Sequence, residues 1–187
     1  MEKTRAAKLI VLDRDGTINH DSDHFIKSPD EWRPIPGSLE AIARLCHAGF
    51  HVCVASNQSG IGRGLFDYDA LFAIHDKLQR ALADLGGRIE AIAYAPEHPD
   101  QATEMRKPNP GMLLDLGRRL GVPLARVHAV GDSMRDIDAA LAAGCRPVLV
   151  RTGFGRETEA ALGAKREQVA VYSDLAACAA ALIATSY

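Results

Sequence analysis

Six short runs of mostly apolar residues, at 9–12, 51–55, 89–94, 127–130, 147–150 and 170–172, are separated by stretches in which apolar residues return every three or four positions. The short runs read as buried strands and the longer stretches as helices with one apolar face. Leu39, Ile42, Leu45 and Cys46 share one such face, closed by Gly49, and Leu71, Ile74, Leu78, Leu82 and Leu85 share another, with Asp67 placed to cap its start. Met112, Leu113, Leu116 and Leu120 carry the pattern from Pro110 to Gly121, and a helix over 137–143 stops at Gly144. A last helix over 174–183 is expected to pack on the sheet edge. The alternation predicts an α/β fold with a doubly wound, mainly parallel sheet, and makes the Ala- and Leu-rich stripes core positions rather than cofactor sites.

The chain has 187 residues and neither an internal repeat nor a linker-like tract, so it is read as a single domain over 1–187. A formal net charge of −2 and 5% aromatic residues argue against a basic nucleic-acid surface. No apolar run approaches the ~18 to 20 residues of a membrane span, and residues 1–8 lack the apolar core of a leader. A cytoplasmic protein is expected, a monomer with neither a nucleic-acid nor a membrane partner. Cys46, Cys53, Cys145 and Cys178 fall at irregular spacings within apolar segments, which suits small buried side chains better than disulfides or a metal site.

The chemistry begins where the first strand ends, at Asp13-Arg14-Asp15-Gly16-Thr17. Alone, Asp-x-Asp-Gly is also a turn signature or part of a calcium loop. At the carboxyl edge of a sheet, however, two such carboxylates suit phosphate chemistry: one attacks phosphorus and the other moves a proton to and from oxygen. That chemistry needs a cation, a lysine and a hydroxyl to offset the charge. Each has a candidate in order along the chain: Ser56-Asn57 after the second strand, Lys107 in Arg106-Lys107-Pro108, and Asp132 after the strand at 127–130, with Asp136 four residues on.

With Asp13-x-Asp15-Gly16-Thr17, Ser56, Lys107 and Gly131-Asp132-x-x-x-Asp136 in this order, the chain resembles the haloacid-dehalogenase-like phosphatase superfamily, whose fold is Rossmann-like. Within it, the stretches 13–19, 56–64 and 106–112 are similar to those of the D-glycero-D-manno-heptose-1,7-bisphosphate phosphatase family, and the likeness runs from about Leu9 to Gly153. The resemblance implies Asp13 as nucleophile and Asp15 as general acid and base, with a carboxyl that holds a proton near neutral pH. It implies Mg²⁺ on the Asp13 carboxylate, the Asp15 carbonyl and Asp132. Ser56 and the Asn57 amide hold the transferring phosphoryl group, Lys107 offsets its charge, Asp136 orients Lys107 or the metal shell, and Gly16 permits the turn after Asp15.

The intervals at 18–36 and 95–106 are too short for an inserted cap domain, so a capless, open site is expected. Specificity for a phosphorylated sugar then falls to loops: Asp21 and His24 in a flap, Asn57, Gln58, Ser59 and Arg63 after the second strand, and Arg106. Arg106 and Arg63 are the candidates for a second phosphate, because guanidinium groups bind phosphate as a planar fork. Relatives in the family carry a structural zinc in the loop before Arg-Lys-Pro, on three cysteines and a histidine. Here the loop has no cysteine, with Ala95 and Met105 standing where two are expected, so zinc is not expected. The rival enzyme reading is histidinol-phosphate phosphatase, whose cationic substrate would favour acidic loops. The rival of another class is a receiver-like phosphoacceptor module, in which the phosphorylated aspartate follows an interior strand.

Overall fold

The computed structural model describes residues 8–185, so the opening segment read as lacking a leader core lies largely outside the described residues. Six strands form one sheet in the order β3-β2-β1-β4-β5-β6. They are β1 (Lys8–Leu12), β2 (Phe50–Asn57), β3 (Ala91–Ala95), β4 (His128–Gly131), β5 (Arg146–Val150) and β6 (Ala170–Tyr172). All neighbours run parallel, with Leu12 opposite Val54 on one side and Val130 on the other. β1 is therefore the point where the strand order reverses, and a crevice opens beyond its carboxyl end.

Strand alternation divides the core into two layers. Ile10, Leu12, Val52 and Val54 face α1 (Ser38–His47), α3 (Tyr68–Ala83) and α7 (Leu175–Ala184), through Leu39, Ile42, Leu45, Ile74, Leu78 and Leu182. Leu9, Val11, Cys53 and Ala55 face α4 (Gly111–Leu120) and α5 (Met134–Ala143), through Met112, Leu113, Leu116, Ala139 and Ala140. Period-2 strands between period-3.6 helices thus give the doubly wound architecture. Asp67 caps α3 by accepting from the Ala70 N–H at 2.9 Å.

Several local readings shift. The third strand starts at Ala91 rather than 89, because the Gln79 amide takes both backbone groups of Ile89, at 3.2 and 3.0 Å. Leu85 lies beyond the end of α3 and is exposed. The last helix does not lie on the sheet edge: Leu175, Cys178, Ala179 and Leu182 join the core beside α1, where the Ala176 methyl packs close to Gly37. Two short helices were not read from the pattern, α2 (Ser59–Gly62) and α6 (Gly155–Ala161). The cysteines are free thiols; burial pushes Cys53 and Cys145 up to about 11 and Cys178 to about 12, as fits packing residues. Among the described residues no helix is long and apolar enough to cross a membrane.

Residues 18–36 form a flap rather than a domain. Ile18, Ile26, Trp32 and Ile35 are buried, and Ser38 Oγ donates to the Ile18 carbonyl at 2.6 Å. Trp32 is 1% exposed, with the Lys77 ammonium 5.7 Å from its ring centroid and donating to the Pro29 carbonyl at 2.6 Å. Removing this anchor empties a core site, so Trp32→Ala is expected to cost about 3–5 kcal/mol. Urea unfolding followed by far-UV circular dichroism measures this; a midpoint unchanged from the parent would show that the flap is not part of the core.

Candidate active site

The carboxyl ends of β1, β2 and β4 and the loop after β3 enclose a cleft of about 200 Å³. Asp13, Asp15, Asp21, Ser56, Asn57, Gln58, Ser59, Arg106, Lys107, Asp132 and Asp136 all line it. Asp13 is fixed at the strand end by its N–H, which donates to the Val130 carbonyl at 2.8 Å and so extends the β1–β4 pairing.

At the floor the Lys107 ammonium makes three contacts: Asp13 Oδ1 at 2.7 Å, Asp136 Oδ1 at 2.6 Å and the Ala55 carbonyl at 2.7 Å. An ammonium has three donors, so all are used. The other oxygen of Asp136 accepts from Ser133 N at 3.0 Å and Ser133 Oγ at 2.6 Å in the capping box of α5. Asp136 is thereby committed to Lys107 and its own helix. Burial disfavours the Lys107 charge, but Asp13 and Asp136 outweigh it and hold the ammonium above its ordinary range. Burial raises the Asp13 carboxyl well above the usual range, against the pull of Lys107. Asn57 clamps the lysine backbone, its Oδ1 accepting from Lys107 N at 3.0 Å and its Nδ2 donating to Lys107 O at 2.9 Å. The Asn57 side chain is thus a positioning group, and any phosphate contact falls to its backbone amide.

Asp15 has the opposite environment. Arg14 grips it as a fork, Nε to Oδ1 at 2.9 Å and Nη2 to Oδ2 at 3.0 Å, while Asn19 Nδ2 donates at 2.8 Å and Gln58 Nε2 at 2.9 Å. Burial works to raise its pKa, yet the Arg14 charge and these donors hold the carboxyl below the usual range. Asp15 is therefore held ionised, against the expectation of a carboxyl that holds a proton near neutral pH. Gln58, read as a substrate contact, lines the cleft with its side chain engaged by protein groups: it also donates to Ser56 Oγ at 2.7 Å and accepts from Arg14 Nη2 at 3.1 Å. Arg14 itself was missed, though a charge two positions past a buried strand and between two aspartates must find a buried partner. Its Nη1 lies 3.5 Å from Nε2 of His75, which burial and then the Arg14 charge depress to about 4, leaving a neutral imidazole.

Asp13, Asp132 and Asp136 bring carboxylate oxygens within 4.8 Å of one another. Asp132 Oδ2 accepts from Phe154 N at 2.8 Å, and two glycines with positive φ close around it. A Cβ on either Gly16 (φ +80) or Gly153 (φ +54) would stand 2.0 Å from that oxygen, so both must lack one. Gly16 is therefore needed for close approach as well as for its turn. Burial, and then the charge of Asp136, push Asp132 up to about 7. One ammonium does not neutralise three buried carboxylates. Hard oxygen donors with surplus negative charge fit Mg²⁺, and Asp13 and Asp132 are the two that could hold it, since Asp136 is spent on Lys107. The Asp15 carboxylate lies outside this group, consistent with a part played through its backbone carbonyl.

Around the mouth, the loop before Lys107 is braced by hydrogen bonds. Glu97 accepts from Thr103 Oγ1 at 2.5 Å and Thr103 N at 3.2 Å, Asn109 Nδ2 donates to Thr103 O at 2.9 Å, and His98 Nδ1 accepts from Asp100 N at 3.2 Å. Arg106, 6% exposed, donates to the Glu97 carbonyl at 3.3 Å. Ser59 starts α2 at the cleft, and Asp21 accepts from Ser22 N at 2.7 Å on the flap. Two predicted residues fall elsewhere. His24 lines an outer groove of the flap with Lys27 and Glu31, and Arg63 is exposed, its guanidinium 5.9 Å from the Phe25 ring centroid rather than in the cleft. A second arginine does line the cleft: Arg135, on the first turn of α5, which the sequence reading passed over.

Comparison with known proteins agrees with this geometry. A family model described as polynucleotide kinase 3 phosphatase matches residues 8–136, and one described as HAD-hydrolase-like matches 104–178. A D-glycero-beta-D-manno-heptose-1,7-bisphosphate 7-phosphatase of Bordetella bronchiseptica is 57% identical over 94% of this chain and 98% of its own length. The protein of the same name from Pseudomonas aeruginosa is 51% identical over 94% and 97%. The crystal structure of the D,D-heptose 1,7-bisphosphate phosphatase of B. bronchiseptica complexed with magnesium and phosphate superposes with a TM-score of 0.92 at 56% identity, over 95% of this chain and 99% of that one. A pocket of buried carboxylates around one lysine and relatives matched along nearly their whole length lead to one assignment: the chain belongs to the HAD-like phosphatases, in the family of heptose-1,7-bisphosphate 7-phosphatases.

Proposed function

We propose that the chain is a magnesium-dependent phosphoric monoester hydrolase that removes the 7-phosphate of D-glycero-β-D-manno-heptose 1,7-bisphosphate. The observation that carries the reading is Asp13 held 2.7 Å from the Lys107 ammonium at the end of β1, in a chain 57% identical to such an enzyme over 94% of its length. Asp13 is the nucleophile: its carboxylate attacks phosphorus, the bond from phosphorus to the sugar oxygen breaks, and an aspartyl phosphate forms. Asp15 gives its proton to the departing oxygen and later takes one from the water that cleaves the acyl phosphate. In the free protein Asp15 is ionised by Arg14; an arriving phosphate adds negative charge beside it and raises its affinity for that proton. Ser56 Oγ and the Asn57 amide orient the transferring group, and Lys107 offsets its charge. Magnesium, when bound, supplies a Lewis acid that draws charge from the phosphoryl oxygens. All the pocket's lining comes from this chain, so the reading needs no second copy to complete the site, and a net charge of −2 favours a small phosphorylated sugar over nucleic acid as the substrate of a cytoplasmic monomer.

Asp13→Ala is expected to lose turnover to background while keeping its unfolding midpoint. Asp15→Asn is expected to slow both half-reactions, by about 10²-fold or more for each proton transfer. Rapid-quench measurement of the phosphoenzyme separates the two steps, and near-normal turnover in folded Asp13→Ala would refute the nucleophile.

Chelation is expected to abolish activity and Mg²⁺ to restore it, with elemental analysis finding no stoichiometric zinc. One tightly held zinc per chain would overturn the reading of the 95–106 loop. Arg106→Ala is expected to cost about 1.5–3 kcal/mol in kcat/KM on the sugar bisphosphate, the range for a hydrogen bond to a charged group. Parallel assays on heptose 1,7-bisphosphate and histidinol phosphate check the substrate class; preference for the latter would replace it with the rival enzyme.

A further inference from the structure

Arg135 lines the same cleft as Asp13, Ser56, Lys107 and Arg106. It follows Ser133, the N-cap of α5, and directly precedes Asp136, which is turned inward to Lys107. The side chain is exposed, and among the described residues no carboxylate lies within ion-pair distance of it. Asp21 influences it only from farther off. Arg14, by contrast, is committed to Asp15 and Gln58, and Arg63 lies over the ring of Phe25 at the rim rather than in the lining of the cleft.

The walls of the cleft differ in charge. The flap contributes Asp21 and Asp23, while Arg106 and Arg135 come from the loop after β3 and the start of α5. A second anion entering with the reacting phosphate is repelled by the flap and drawn to the arginines. Arg106 is poorly satisfied by protein, with its Nη1 on a single carbonyl at 3.3 Å. Burial lowers its pKa, and the charge of Arg135 lowers it further. Two guanidinium groups that repel each other across a cleft are relieved by a dianion between them.

We infer that Arg135 is a specificity-determining residue: with Arg106 it grips the second, non-reacting phosphate of a sugar bisphosphate while Asp13, Ser56 and Lys107 engage the phosphate that is removed. The inference rests on the substrate class proposed above and adds the residue that makes the bisphosphate preferred.

The test measures kcat and KM for the parent, Arg135→Ala and Arg135→Lys on heptose 1,7-bisphosphate, heptose 7-phosphate and p-nitrophenyl phosphate, each in saturating Mg²⁺. The parent is expected to prefer the bisphosphate over the 7-monophosphate. Arg135→Ala is expected to cut that preference by about 10- to 100-fold, mostly through KM, with Arg135→Lys restoring part of it. A parent with no such preference would overturn the substrate class and the inference together. A preference intact in Arg135→Ala would overturn the inference alone and leave the substrate class standing. Equal losses on the bisphosphate and on the aryl phosphate would also overturn it, showing that Arg135 supports the reaction centre or tethers the flap through Asp21.

Discussion

The Lys107 ammonium is the interaction on which the site depends. It reaches from the loop after β3 to Asp13 at the end of β1, to Ala55 in β2 and to Asp136 at the start of α5, tying four segments at one nitrogen. Opposite unit charges at ~4 Å gain about 4 kcal/mol at an effective dielectric of ~20, and desolvation offsets much of that. The asymmetry matters more than the net: removing the lysine would leave two buried carboxylates facing each other. The reciprocal amide clamp of Asn57 on the lysine backbone makes sense in this light, since it fixes the stem of a group whose head is already fully used.

Two aspartates two residues apart are sorted into different chemistry by their surroundings. Asp13 shares a lysine with a second carboxylate and sits among acidic neighbours, so its charge is under-compensated. Asp15 has an arginine that pairs with no other carboxylate, and two amide donors besides. The first is suited to give up electron density to a new partner, and the second is held ionised until substrate changes the local charge.

Much of this was legible in the sequence. Apolar runs gave six strands and a mainly parallel sheet, because buried strands between amphipathic helices leave few alternatives. The ordered positions of Asp13, Ser56, Lys107 and Asp132 gave the pocket, because strand ends on one edge of a parallel sheet converge. What was not legible depends on side-chain pairing across the fold. Gln58 and Asn57 look like substrate ligands because they follow Ser56, yet their side-chain amides are taken up by Asp15, Ser56 and Lys107. Arg63 lies near the motif along the chain and outside the cleft in space; Arg135 was overlooked among the helical residues between Asp132 and Asp136. The final helix was misplaced because its alanines pack it against α1 rather than on the edge.

The loop that carries Arg106 is braced by hydrogen bonds of Glu97, Thr103, His98 and Asn109 and contains no thiol. A loop shaped by thiolates on a metal keeps its form only while those sulfurs stay reduced and the metal stays bound. This one has no such dependence, and the cysteines of the chain lie elsewhere in the sequence, with Cys53, Cys145 and Cys178 buried. Arg106, which the proposed function places on the sugar phosphate, thus stands on a segment with neither a thiol to oxidise nor thiolates to compete for zinc, and that places the molecule's sensitivity to its chemical surroundings in the carboxylate pocket instead.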